Sequence, residues 1–166
     1  MSVDLESLYT DLHAHPELSF QETRTAGVIA RHLADLGLEV EEGVGTTGVV
    51  TKIDNGPGPV VWLRADMDGL PVEEKTGLPY ASTARGTDPA GTTVPVMHAC
   101  GHDMHVTALI GALERLVVHE ANARGLTQPL EGLVELGGKH RVRVLELLVA
   151  VRGERFSALD RLDQRL

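Results

Sequence analysis

The sequence predicts an α/β fold in which a partial central sheet is flanked by helices, and three features carry that expectation. Residues 21–36 repeat apolar side chains at helical spacing, the short apolar run "VVWLRA" at 60–65 stops on acidic residues, and a second helical pattern covers residues 103–119. With 166 residues, 42 % of them apolar, the chain can bury one core of its own.

Taken in order, residues 5–12 predict a short helix. It ends near "HAHPELSF", because Pro16 pushes His15 away from helical geometry. In the next helix Ala26, Ile29, Leu33 and Leu36 share a face, and Gly37 follows as a stop signal. "LEVEEGVGTTGVVTKID" reads as strand, turn, strand, and "NGPGP" at 55–59 as a tight turn before the buried-type strand 60–65. Residues 72–96, rich in Gly and Pro, predict a long surface loop of the kind that often carries function. After the helix at 103–119, "EANARGLTQPLEGLVELGG" is polar and Gly-rich and offers no strand where α/β alternation would place one.

Charge divides the chain near Gly137 and Gly138. Residues 1–138 hold 8 Lys and Arg against 20 Asp and Glu, whereas residues 139–166 hold 7 against 4. An acidic body excludes nucleic acid as a partner, since the phosphate contribution would be repulsive. The basic tail is too interspersed with apolar and acidic residues to serve as a nucleic-acid arm. No apolar run approaches the roughly 20 residues of a membrane-spanning helix. The N-terminus lacks the pattern of a secretory signal, so the expectation is a cytoplasmic protein without a membrane partner. One cysteine cannot close an internal disulfide and has no partner thiol for a redox cycle.

That cysteine sits in the most informative stretch, "PVMHACGHDMHVT" at 95–107. His98, Cys100 and His102 alternate, so an extended segment would project all three to one side. A thiolate among imidazoles suits a borderline-soft divalent cation: zinc above all, with manganese, cobalt or nickel as alternatives. The stretch feeds a helix N-terminus, where free N–H groups favour the thiolate. Asp103 could cap that helix or hold a ligand histidine. The plainer reading keeps a buried structural cysteine and hydrogen-bonded histidines, and two ligands fall short of the three or four a metal needs. Asp66 and Asp68 stand at a strand's carboxyl end, where open α/β sheets gather ligands; each could orient a metal ligand or satisfy a turn. His13 and His15 are accounted for by a helix-ending turn, and Glu73, Glu74 and Lys75 by a solvated face.

Three blocks in order, "LHAHPELSFQE" at 12–22, "LRADMDGLPVEEKTGLPYAS" at 63–82 and "MHACGHDMHVTALIGA" at 97–112, resemble a known group. It is the metal-dependent amidohydrolase family of hippurate hydrolase, N-acyl-amino-acid amidohydrolase (aminoacylase) and auxin-conjugate hydrolase, related to the two-metal carboxypeptidases. The resemblance implies the N-terminal part of a two-metal exopeptidase-like catalytic domain over residues 1–118, followed by a divergent tail at 119–166 that departs from the family pattern. It implies Cys100 and His102 as metal ligands and Asp68 as the aspartate that orients a ligand and tunes the catalytic carboxylate; Asp66 stands where distant relatives carry a ligand histidine. The implied reaction is metal-dependent hydrolysis of the amide bond of N-acyl amino acids, with a small-molecule substrate. "QPLEG" at 128–132 echoes the family's catalytic glutamate segment through Glu131, but Gly132 replaces the second glutamate. A truncated, non-catalytic remnant with weak or no metal binding, self-associating as a homo-oligomer through uncovered apolar surface, is the alternative expectation.

Overall fold

The structure is a computed structural model that describes residues 3–53, 61–123 and 145–150. Helix α1 (Leu5–Ala14) starts at Asp4, whose side chain accepts the Ser7 N–H at 3.0 Å and so satisfies one of the free donors of the first turn. Helix α2 (Thr23–Asp35) buries Ala26, Ile29, Ala30 and Leu33, spaced to form one stripe. The side chain of Glu17 caps its N-terminus from outside the helix, accepting from the N–H groups of Arg24 and Thr25 at 3.0 and 2.7 Å. The expected strand, turn and strand follow as β1 (Val40–Val44) and β2 (Gly48–Ile53), an antiparallel pair. The expected turn at 55–59 lies outside the described residues.

Strand β3 (Val61–Asp66) forms at the apolar run, but it is not the buried strand expected: only Ala65 is buried, and Val61 and Trp62 are exposed. Two short strands, β4 (Arg85–Thr87) and β5 (Thr93–Pro95), pair antiparallel inside the segment expected to be loop. Three residues per strand are too few for an alternation to register in sequence. The hairpin is held instead by its turn: Asp88 Oδ1 accepts from the N–H groups of Ala90 and Thr92 at 3.0 and 2.8 Å. Helix α3 (His102–Ala123) begins one residue before and runs four residues past its expected span.

The next described strand is β6 (Leu145–Ala150), in the basic tail. It lies between β2, antiparallel, and β3, parallel, giving the sheet order β1-β2-β6-β3. Sequence patterning had offered no strand in residues 120–138, of which 124–138 lie outside the described residues; the α/β alternation is completed later in the chain. Together β3, α3 and β6 form a β-α-β unit, the connection that parallel pairing requires.

The core lies between the sheet and the three helices. Leu8 and Leu12 of α1, Ile29 and Leu33 of α2, Val49 and Ile53 of β2, Ala65 and Met67 of the β3 end, and Val106, Ile110 and Leu113 of α3 form one cluster. Alternate residues of β3 face away from it, and Trp62 is 42 % exposed. No helix among the described residues is long and apolar enough to cross a membrane.

Leu33 is fully buried in this cluster. Leu33→Ala should lower the unfolding free energy in urea by about 2–5 kcal/mol, the cost of lost burial plus a cavity. A loss under about 1 kcal/mol would mean that α2 does not pack on the sheet as described.

Candidate active site

The site forms beyond the carboxyl end of β3, where three segments meet: the α1–α2 connection, the chain after β3, and the turn before α3. The strand ends at Asp66, whose Oδ1 accepts from Arg64 Nε and NH2 at 2.9 and 2.6 Å in a partly exposed pair. Asp68 instead turns inward and is 5 % exposed. The two aspartates therefore do not act as one face, because the strand geometry that would align them stops at the first.

Backbone bonds fasten the chain around Asp68. Gly69 N–H donates to the Glu17 carbonyl at 2.6 Å, and Leu70 and Met97 exchange backbone bonds at 2.8 and 3.0 Å. A side chain at position 69 would meet Pro16 Cβ at 2.9 Å and Val96 Cγ1 at 2.8 Å, so only glycine permits this approach.

Within that frame Asp68 Oδ1 and its own carbonyl face His102 Nδ1 at 2.8 and 3.1 Å. Two acceptors at one ring nitrogen place the proton on Nδ1 and leave the Nε2 lone pair free. Asp68 Oδ2 accepts from the Ser19 hydroxyl at 2.5 Å. His102 opens α3, and Gly101 before it has φ +75°, a left-handed turn residue.

That turn changes the expected geometry of the motif. His98, Cys100 and His102 do not alternate along an extended strand, because Ala99 and Cys100 form a turn: the thiol of Cys100 is exposed while His98 and His102 are buried. His98 has no hydrogen-bond partner at either ring nitrogen among the described residues, and burial pushes its pKa down, so it is neutral. Among the described residues no three His, Cys, Asp or Glu side chains converge as a metal-binding group. Glu131 lies outside the described residues.

Asp103 takes neither His102 nor a distant partner from the motif. Its Oδ1 accepts the Met104 N–H at 2.9 Å in the first turn of α3, and its Oδ2 faces His13 Nδ1 at 2.6 Å. The other ring nitrogen of His13 faces Glu74 Oε1 at 3.1 Å, and the rings of Tyr9 and Tyr80 pack around it with centroids 5.7 and 5.4 Å away. Burial opposes a charge on His13, but the two carboxylates outweigh it and raise its pKa, so the imidazolium donates to both. Glu74 also accepts from Thr76 Oγ1 and the Ser82 N–H at 2.5 and 2.6 Å; these donors and His13 hold its pKa below the usual range although burial alone would raise it.

Glu74 is thus no part of a solvated face, in contrast to the exposed pair Glu73 and Lys75 beside it. His13, Ser19, Glu22 and Glu74 are the residues that sequence reasoning did not single out. One signal existed for His13: it lies four residues after Tyr9, next to the stripe of Leu8 and Leu12, on the inward side of α1. Glu22 is fully buried beside the site; its Oε2 accepts from Thr47 Oγ1 at 2.7 Å and its Oε1 has no partner among the described residues. Burial pushes its pKa up, the Thr47 hydroxyl offsets part of that, and the Asp68 carboxylate adds to the rise.

A buried carboxylate–histidine pair beyond a strand end, beside an exposed thiol, is the kind of site found in metallohydrolases. Residues 62–135 match the model of the peptidase family M20/M25/M40. The chain is 47 % identical over 133 residues to thermostable carboxypeptidase 1 of Saccharolobus solfataricus, covering 76 % of this chain and 32 % of that protein. It is 40 % identical over 136 residues to N-acetyl-L-cysteine deacetylase of Bacillus subtilis, covering 81 % of this chain and 30 % of that one. Among solved structures, the Bacillus subtilis YXEP protein, described as a dinuclear metal-binding peptidase of the M20 family, superposes with a TM-score of 0.68 at 33 % identity, covering 96 % of this chain and 38 % of that chain. Residues 62–135 thus resemble this peptidase family, and the chain shares the fold of part of the YXEP protein. It spans between 14 % and 33 % of the length of the curated relatives it matches.

Two outcomes test this geometry. Gly69→Ala should destabilise the chain by about 1–3 kcal/mol in urea unfolding, because the methyl group must displace Pro16 or Val96. Glu22 has a raised pKa, so the stability it contributes is present below its unfolded value near 4.5 and is lost as pH rises through its folded value. The Tm of Glu22→Gln should therefore gain on wild type as pH rises above about 4.5, and a constant gap would contradict a Glu22 carboxyl whose pKa burial raises.

Proposed function

We propose that the chain is the N-terminal part, over residues 1–118, of a metal-dependent amidohydrolase catalytic domain that hydrolyses the amide bond of N-acyl amino acids. Cys100 and His102 are its metal ligands and Asp68 the carboxylate that orients His102. The observation that carries this reading is the 2.8 Å contact of Asp68 Oδ1 with His102 Nδ1, since metal-binding histidines characteristically donate their other N–H to such a partner. Relatives named N-acetyl-L-cysteine deacetylase and N-acetyldiaminopimelate deacetylase support the substrate class.

The donors fit a divalent cation in kind: an exposed thiol and an imidazole with a free Nε2 form a borderline-soft pair for zinc, manganese, cobalt or nickel. Two donors are half of a shell, which leaves the weak-binding remnant as the second reading. When bound, such a cation supplies Lewis-acid polarisation of the scissile carbonyl. The chain's own residues keep the proton at His102 Nδ1, hold the Asp68 carboxyl oxygens between two donors, and anchor the ligand-bearing turn through His13 and Asp103. A single exposed cysteine is consistent with the reducing cytoplasm.

Elemental analysis of the purified chain after incubation with zinc, manganese or cobalt tests the reading. Close to one metal per chain is expected, and Cys100→Ser and His102→Ala should each weaken binding at least about tenfold. Any release of amino acid from hippurate should vanish with chelator. Metal content far below one per chain, unchanged by either substitution, would establish the remnant instead.

A further inference from the structure

We propose that Ser19 is a positioning residue for His102, acting through Asp68: its hydroxyl locks the carboxylate in the rotamer that keeps the His102 proton on Nδ1 and the Nε2 lone pair available. The role in metal binding rests on the assignment of His102 as a ligand; the effect on the ring proton does not.

Three observations carry it. Ser19 is 49 residues from Asp68 in sequence and comes from a different segment, yet its Oγ lies 2.5 Å from Asp68 Oδ2. The other oxygen, Oδ1, is committed to His102. Ser19 is thus the donor for the other half of a buried carboxyl group, which would otherwise stand without that partner within electrostatic reach of a second buried carboxyl group, Glu22. The backbone around Ser19 is held for this contact. On one side Leu18 bridges to Gly69, the residue after Asp68, and Glu17 accepts the Gly69 N–H. On the other, Phe20 has φ +65° and is 41 % exposed. A bulky residue in left-handed geometry that does not bury its ring is an unfavourable local choice, sustained where the surroundings fix the chain. Here the reversal turns the chain immediately after the residue that reaches Asp68.

The consequence is rotational. A carboxylate held at one oxygen alone can turn about its terminal torsion, which is broad, and then presents Nδ1 with a poorer acceptor. The proton of a neutral imidazole redistributes toward Nε2, and every molecule with Nε2–H is unable to ligate through that nitrogen.

The test uses the full chain with 15N-labelled histidine, metal-free and then titrated with zinc against a chelating dye. Wild type should show His102 ring shifts of a single Nδ1–H tautomer. Ser19→Ala should show mixed tautomer shifts and zinc affinity weakened by about 3–10-fold, somewhat less than for loss of a direct partner of a ligand. Ser19→Thr, which keeps the hydroxyl, should restore both. Wild-type tautomer shifts in Ser19→Ala overturn the proposal, as does failure of Ser19→Thr to restore them. If Ser19→Ala does not fold, Ser19→Cys replaces it, and wild-type shifts with that weak donor are equally adverse. Wild type that shows the Nδ1–H tautomer but binds no zinc would refute His102 as a ligand while leaving the role of Ser19 standing.

Discussion

A carboxylate taken out of water must find donors, and Asp68 meets that requirement with two partners from two other parts of the chain. Ser19 approaches from between α1 and α2, and His102 from the start of α3. Burial of an unpaired charge would cost several kcal/mol, so these contacts are conditions of folding as much as features of a site. The backbone bonds of Gly69 to Glu17 and of Leu70 to Met97 exist in the same few residues because the segments must converge there. Chemistry and architecture at this end of the sheet share one constraint.

His13 repeats the constraint with the signs reversed. One buried imidazolium serves two carboxylates, Asp103 on α3 and Glu74 on the chain after β3, with two tyrosine rings keeping water away. Asp103 follows His102 directly, so the orientation of the first turn of α3 is fixed from both sides: by Asp68 through the ring of His102 and by His13 through Asp103. Preorganisation of a candidate ligand is here built from paired charges rather than from apolar packing alone. His98 stands apart, neutral and without a hydrogen-bond partner at either ring nitrogen among the described residues.

Three helices and three strands, β1 to β3, were legible in sequence because each has a period long enough to register: the stripe of Ala26, Ile29 and Leu33, the strand pair across "GVGTT", and the run into Asp66. Strands β4 and β5 were not, being three residues each, and the position of β6 was not, since its place depends on pairing with β2 and β3 rather than on its neighbours in sequence. The site divides in the same way. Cys100, His102 and Asp68 could be named from residue types and from resemblance, while the expectation that His98, Cys100 and His102 project together failed at the turn of Ala99 to Gly101.

The sequence by itself determined the fold class, the order of helices α1 to α3 and strands β1 to β3, and the resemblance to a family, because periodicity and short motifs are local properties. Tertiary structure alone decided which carboxylate meets which donor: Asp68 with Ser19 and His102, Asp103 and Glu74 with His13, Asp66 with Arg64 at the surface. Four of these five pairings join residues 34 to 90 positions apart. Hydrogen bonding of a buried charge is settled by which groups the fold brings within about 3 Å, a distance that spacing along the chain does not encode.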